Sequence, residues 1–290
     1  METTPLRERM AEDLRLAGYS PRTQEAYLRA VRQLAEHYWK SPDRLTEEEI
    51  RQYFLHLTNV KRLARPTVTI VLCGVKFFYE HTAKREWTVF DLVRPRREHK
   101  LPDILSVEEV RLLLGYVEPF WNRACLTTIY SCGLRLQEGT HLQVGDIDSA
   151  RGFLHVRHGK GAKDRYVPLP TPTLDLLRQQ WKTHRHPQLI FPAPGPGGRG
   201  MKTAGRPLAK SSVQGAFRRA LKRSGIAKPA SVHTLRHCYG THLLEAGINL
   251  RQIQENMGHN SPQTTAIYTH LTAAGRGDAM VKLNELMHDL

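Results

Sequence analysis

The sequence predicts a mainly α chain: an N-terminal four-helix domain, then a mostly helical α+β domain carrying one small antiparallel sheet. Three observations predict it. Apolar residues recur at helical spacing through about the first 90 positions. Two short strand-like runs, FLHVRH and DRYVPLP, flank the glycine-bearing segment GKGAK, as in a hairpin. Between the helical opening and the remainder lies RPRREHKLPDIL, which is basic, proline-bearing and without amphipathic period. The expected division is a domain over 1–90, a basic linker over 91–105 and a second domain over 106–290.

Each element has a local reason. An amphipathic segment from about Leu6 to Leu16 is stopped by Gly18, and Ser20-Pro21 then supplies an N-cap with proline at the first helical position. Behind it Tyr27, Val31, Leu34 and Tyr38 line one face, with arginines on the other. Thr46 with Glu49 reads as a capping box for the helix bearing Ile50, Phe54 and Leu57. Pro66 opens a fourth segment whose Val68, Val71, Leu72, Val75, Phe78 and Tyr79 form a broad apolar face. Four such helices suffice for an independent bundle.

Ser106-x-x-Glu109 restarts helix, which continues to about Leu142 with Arg135 in a short turn. After the hairpin, helix is expected from about Thr173 to His184, then a mobile loop over the proline- and glycine-rich Pro187–Pro207. Ser211–Ser224, His233–Ala246, Leu250–Met257 and Pro262–Leu271 complete the helical set. In the last stretch, Met280, Leu283, Met287 and Leu290 fall on one stripe.

Charge bounds the partners. The 290 residues carry 43 Lys+Arg against 28 Asp+Glu, a formal +15, spread over the length rather than gathered in a tail. Such an excess selects polyanions, with nucleic acid first and an anionic membrane surface second. No apolar run approaches the ~18 residues a membrane span needs, and the opening METTPLRERMAEDLRLAG lacks a secretory apolar stretch. The four cysteines fit neither metal-ligand spacing nor a disulfide framework. A cytoplasmic protein without a membrane partner is expected.

The chemistry-bearing residues are Arg135 in CGLRLQEG, Lys160 and Lys163 at the hairpin tip, His233 and Arg236 in HTLRH, then His259 and Tyr268 in MGHNSPQTTAIYTH. His233 and Arg236 are three apart and so share a helix face. This set suits attack on a phosphodiester. Two guanidiniums can hold non-bridging oxygens and neutralise the transition state. A tyrosine hydroxyl is a competent nucleophile once its proton is accepted, and a hairpin lysine can protonate the leaving alkoxide. A covalent phosphotyrosine conserves the bond energy, so rejoining calls for no cofactor and no metal. HTLRH has histidines at i and i+4, His233 and His237, which draws attention to His237, and to His242 beyond it, as ligands. It lacks the glutamate of H-E-x-x-H, so no metal site is expected.

GLRLQEG, GKGAKDRYVPLP, HTLRHCYGTHLLEAG and MGHNSPQTTAIYTH, in that order, closely resemble the motifs of tyrosine recombinases, the family of phage integrases, Xer resolvases and integron or transposon integrases. The likeness is strongest from Ser106 to His270, and the first helices resemble the family's core-binding domain. By that resemblance Tyr268 is the nucleophile, forming a 3′-phosphotyrosine intermediate. Arg135 and Arg236 clamp the phosphate, Lys160 is the general acid, His233 the proton acceptor and His259 a donor to the phosphate. Lys160 is preferred to Lys163 on the family match alone. Glu138 holds the acidic position that orients its neighbours. Gln137, Gly139 and Met257 depart from the common serine, leucine and leucine without removing a functional group.

The resemblance further implies a clamp of two domains around double-stranded DNA, a dimer on each site, and a homo-tetramer on paired sites. Docking of the C-terminal stripe on a neighbouring protomer is implied as well, with packing in cis as the alternative. Accessory DNA-binding proteins stay open as partners. The expected activity is site-specific DNA recombination, with integration of a mobile element preferred. The alternatives are an Xer-type dimer resolvase, a type IB topoisomerase and a non-catalytic DNA-binding protein.

Overall fold

The computed structural model describes residues 4–93, 103–157, 164–258 and Thr265, and divides the chain into two compact units, Met1–His99 and Lys100–Leu290. In the first unit, α1 (Pro5–Leu16), α2 (Pro21–Tyr38), α3 (Glu47–Leu55) and α4 (Arg65–Phe77) form the expected four helices. Gly18 takes the left-handed conformation (φ 72°) that ends α1, and the Ser20 hydroxyl accepts from the Thr23 amide to begin α2. The Thr46–Glu49 capping box forms in both directions. A π-helical turn extends α3 through His56–Val60, and another extends α4 through Phe78–Thr82. A short α5 (Val89–Leu92) follows, where linker was expected to begin.

The core of this unit joins Leu14 of α1, Leu34 of α2, Ile50 and Tyr53 of α3, and Val75, Phe78 and Tyr79 of α4 and its extension. Two buried hydroxyls tie the extension back. Tyr79 donates to the Pro42 carbonyl at 2.6 Å, and Thr82 donates to Asp13 at 2.6 Å. The tightest approach is α2 against α4: a Cβ on Gly74 would stand 2.9 Å from the Tyr27 Cα and 3.1 Å from the Ala30 Cβ. Backbone cannot yield there as a flexible side chain would.

The second unit begins with α6 (Val107–Gly115), opened by the reciprocal Ser106–Glu109 cap. Leu105, inside the expected linker, is fully buried in this unit's core, and its amide donates to the Cys238 sulfur at 3.3 Å. α7 (Phe120–Ser131) and α8 (Leu136–Thr140) are separated by a turn in which Gly133 has φ 59°. The sheet is antiparallel in the order β1 (Ile147–Asp148), β2 (Phe153–Val156), β3 (Arg165–Pro168). Leu154 pairs with Val167, both fully buried. β1, two residues long, has no run of alternating residues to announce it. Then come α9 (Thr171–His184), α10 (Lys210–Arg223), α11 (Val232–Glu245) and α12 (Leu250–Met257). The core gathers Leu126 and Ile129 of α7, Leu154 and Val167 of the sheet, Phe217 of α10 and Leu235 of α11. No helix among the described residues is long and apolar enough to cross a membrane.

Residues 187–207 are irregular, as expected, but anchored rather than loose. Ile190 and Phe191 are buried, and Ala193 donates to Arg206 while Leu208 donates to Phe191. Two buried histidines brace the segment. His184 lies 3.1 Å through Nε2 from the Ile190 carbonyl, and its Nδ1 accepts from the His186 amide. His186 in turn lies 3.0 Å through Nε2 from the Ala204 carbonyl, while its Nδ1 accepts from the Gln188 and Leu189 amides. Proline and glycine content signalled the irregular backbone; it carried no sign of these ring contacts. The expected helix over Pro262–Leu271, all of it but Thr265, and the stripe Met280–Leu290 lie outside the described residues, as does most of the basic stretch 91–105.

The α2–α4 approach yields an expected outcome. Gly74→Val should destabilise the first unit by about 1–3 kcal/mol through overpacking. Urea unfolding of the full chain would register it, and an unchanged midpoint would mean that the two helices separate without cost.

Candidate active site

The site is built around one carboxylate. Arg135 is the N-cap residue of α8, and Glu138, one turn on, folds back to it. The Arg135 amide donates to Glu138 Oε2 at 2.7 Å, and its guanidinium donates to Oε1 at 2.7 Å. The other Arg135 terminal nitrogen donates to the Gly258 carbonyl, just past α12, at 3.0 Å. Arg236, from the middle of α11, is 2% exposed and donates to the main-chain carbonyls of Gly133 and Met257. Its guanidinium also stands 4.0 Å from Glu138 Oε2. The sequence-predicted arginines thus share one cluster, although they lie a hundred residues apart in the chain.

A third arginine enters that sequence reading missed. Arg165, at the start of β3, grips both Glu138 oxygens at 3.0 and 2.8 Å and donates through Nε to the Asn256 carbonyl at 2.9 Å. The available signal was its place in DRYVPLP. A strand arginine with a polar flank reads as solvated, and nothing in the spacing ties it to Glu138. Glu138 is itself only 8% exposed. Burial alone would raise its pKa, but hydrogen bonds and charge from Arg165, then from Arg135, overcome this and hold it at about 2.

Two glycines make the cluster possible. Gly258 has φ 60°, and a Cβ there would lie 2.9 Å from Arg165 Cδ. A Cβ on Gly133 would strike the Tyr239 ring at 2.4 Å. Gly139, one of the departures noted in the sequence, meets a similar constraint: its Cβ would lie 2.6 Å from Ile129 Cγ1, so α8 could not lie this close to α7.

His233 is exposed at the start of α11, one turn before Arg236. Desolvation by the surrounding protein, then the charges of Arg236 and Arg135, lower its pKa, so its ring is neutral at pH 7 and can accept a proton. His237 packs edge-on to it at 4.6 Å, and burial, then His233, then Arg236 lower His237 to about 4. His242 is committed elsewhere, between the Tyr130 hydroxyl at 2.8 Å and the Leu105 carbonyl at 3.0 Å. Among the described residues no three His, Cys, Asp or Glu side chains are grouped to hold a metal ion. Lys160, Lys163, His259 and Tyr268 lie outside the described residues.

The stretch of sequence that includes Arg236 is one-signed in charge. No Asp or Glu occurs between Asp175 and Glu245, while thirteen Lys or Arg do. Arg199, Lys202 and Arg206 of the anchored segment, and Arg218, Arg219 and Lys222 of α10, are all charged and not buried. A cleft of about 640 Å³ opens beside Arg135, lined also by Gln137, His141, Asp146, His155 and Arg157.

Comparison with known proteins shows the family. Residues 103–274 match the phage integrase family, and residues 6–89 match the N-terminal SAM-like domain of phage integrases. An integrase/recombinase of Sinorhizobium fredii is 41% identical, over 92% of this chain and 85% of that protein. The tyrosine recombinase XerD of Staphylococcus aureus is 30% identical, over 88% of this chain and 90% of its own. Among solved structures, the XerA recombinase aligns over 97% of this chain and 98% of its own, with TM-score 0.53 and 26% identity. A lambda integrase dimer bound to a core site shares the fold, with TM-score 0.72 at 19% identity over 92% of this chain and 95% of its own. The chain belongs to the phage integrase family and is a tyrosine recombinase.

Two outcomes follow from the cluster. Glu138→Ala leaves buried guanidiniums facing one another and should cost about 3–5 kcal/mol; urea unfolding monitored by circular dichroism reads it, and a loss below 1 kcal/mol would mean that the arginines need no counter-charge. The second concerns acid. His233 and His237 have lowered pKa values in the folded chain, so their neutral-state contribution is complete above the ordinary imidazole value of 6.5. It is lost as pH falls from 6.5 toward about 4, because the unfolded chain takes up protons first. Glu138 keeps its contribution above 4.5 and loses it only as pH falls to about 2. Melting temperature should therefore decline between pH 6.5 and 4 while the arginine–carboxylate cluster is intact, a decline that His237→Gln reduces.

Proposed function

We propose that this chain recombines duplex DNA at specific sites by cutting each strand with Tyr268 and rejoining it through a 3′-phosphotyrosine intermediate. The observation that carries the reading is the convergence of Arg135 and Arg236 on Glu138, with neutral His233 on the same helix as Arg236. Arg135 and Arg236 hold the scissile phosphate and offset charge as five-coordinate phosphorus forms. His233 accepts the Tyr268 proton, His259 donates to a phosphate oxygen, and Lys160 protonates the departing 5′ oxygen. The phosphodiester energy is retained in the tyrosine ester, so the reverse attack by a 5′ hydroxyl reseals the strand.

Residues 1–90 and 106–290 act as two DNA-gripping domains, the first a core-binding bundle and the second catalytic, joined by the basic stretch 91–105. The acid-free run from 176 to 244 supports a phosphate-facing role for the second domain. Exchange between two duplexes needs four cuts, hence a tetramer with a dimer on each site. Integration of a mobile element is the preferred role, supported by the relative described as an integrase/recombinase in Sinorhizobium fredii. Resolution of chromosome or plasmid dimers is the second reading, favoured by the 30% identity to XerD. Joining two sites in an intermolecular assay, against resolving directly repeated sites on one plasmid, separates these roles.

Incubation with a pool of nicked suicide duplexes should leave DNA covalently attached at Tyr268, mapped by peptide mass spectrometry; Tyr268→Phe should abolish the linkage. A linkage that persists in that variant removes Tyr268 from the mechanism. Binding should also weaken ~10³–10⁵-fold between about 50 and 200 mM salt, as expected for ~6–10 phosphate contacts. Filter binding reads that slope, and a shallow one would sink the two-domain grip.

A further inference from the structure

We infer that Arg165 is a positioning residue for strand cleavage, tying β3 to α8 and to the end of α12 so that Arg135 is aimed at the phosphate. The inference rests on the phosphodiester reading above and assigns a role to a residue outside its reacting set.

The contrast between two arginines carries it. Arg165 spends Nε on the Asn256 carbonyl and its two terminal nitrogens on the two Glu138 oxygens, and its side chain is 10% exposed. Every nitrogen of that guanidinium is engaged within the protein, two of them on the carboxylate itself. Arg135 shares the same carboxylate, yet its side chain is 26% exposed and borders the open cleft. One arginine is therefore braced inside the protein and the other, held by the same Glu138, reaches outward.

The bracing also sets charge. With Arg165 present, both Glu138 oxygens are engaged by a fork from β3, and the Arg135 guanidinium shares only Oε1 while its amide takes Oε2. Without it, the carboxylate would close on Arg135 alone and neutralise the guanidinium meant for phosphate. Arg236 is too firmly held by the Gly133 and Met257 carbonyls to take its place. Gly258 fits the same account: it leaves room for Arg165 Cδ while its carbonyl receives Arg135. Lysine could supply one charge at position 165 but not three donors in a planar fork.

The test separates aim from grip. Single-turnover cleavage of a nicked suicide duplex at saturating protein reads the rate, and filter binding reads affinity for the same DNA. Arg165→Met should lower the rate about 100-fold with affinity within about threefold of the unaltered chain. Arg165→Lys should recover part of that loss. The double variant E138Q/R165M should cleave faster than R165M, because no bare carboxylate then captures Arg135, and it is the variant to use if R165M does not fold. Arginine side-chain NMR supplies a readout independent of reaction: the Arg135 resonance, identified by its absence in Arg135→Lys, should broaden in R165K. Unaltered cleavage in R165M, a loss confined to affinity, or an unmoved Arg135 resonance would each overturn the inference. Failure of the unaltered chain to form any covalent product would instead sink the Tyr268 reading, and the NMR comparison would still decide on Arg165.

Discussion

Everything in the second unit that touches function depends on placing three guanidiniums within reach of one buried carboxylate. Like charges at that separation repel, and taking them out of water costs several kcal/mol each unless hydrogen bonds replace the lost hydration. Glu138 resolves the conflict only in part, since one negative charge cannot neutralise three positive ones. Residual positive charge is left on the cluster. Across residues 176–244, which include Arg236, the chain supplies no further Asp or Glu to cancel it. The fold supplies main-chain carbonyls instead, from Gly133, Asn256, Met257 and Gly258, which are dipoles and so orient guanidiniums without cancelling them.

That economy explains why distant parts of the chain meet here. α8 brings Arg135 and Glu138, β3 brings Arg165, α11 brings Arg236 and His233, and the end of α12 brings acceptors. α12 ends at Gly258 and the turn before α8 contains Gly133, and at both positions the missing Cβ permits the approach. The lowered pKa of His233 comes first from desolvation and then from these cations, Arg236 and Arg135, which discourage a proton on the neighbouring imidazole.

Much of this was legible in the sequence, and the reasons are local. Caps at Thr46 and Ser106 depend on a glutamate three residues on, and Ser20 is followed by proline, so short-range sequence located three helix starts. The paired strands Phe153–Val156 and Arg165–Pro168 were visible because each contains residues that alternate between core and surface. Arg135, Arg236 and His233 were found through motifs whose order survives even when distances in space are unknown. What escaped was whatever depends on contact across the fold. Arg165 has no local signature, because its partners Glu138 and Asn256 lie on other elements. β1 is too short to show a period, and α5 sits inside a composition that reads as linker. The histidines at 184 and 186 anchor a segment whose prolines and glycines suggested looseness.

The attachment of Arg236 to the Gly133 and Met257 carbonyls has a consequence for how such a chain can diverge. An acceptor on the main chain belongs to every amino acid alike, so a replacement at Met257 keeps the acceptor, whereas at Gly133 the Tyr239 ring leaves no room for a Cβ. Length is another matter. One residue inserted or removed beside either carbonyl would rotate the acceptor away while preserving composition, charge and motif. The count of residues between the two carbonyls is therefore held as firmly as the arginine itself.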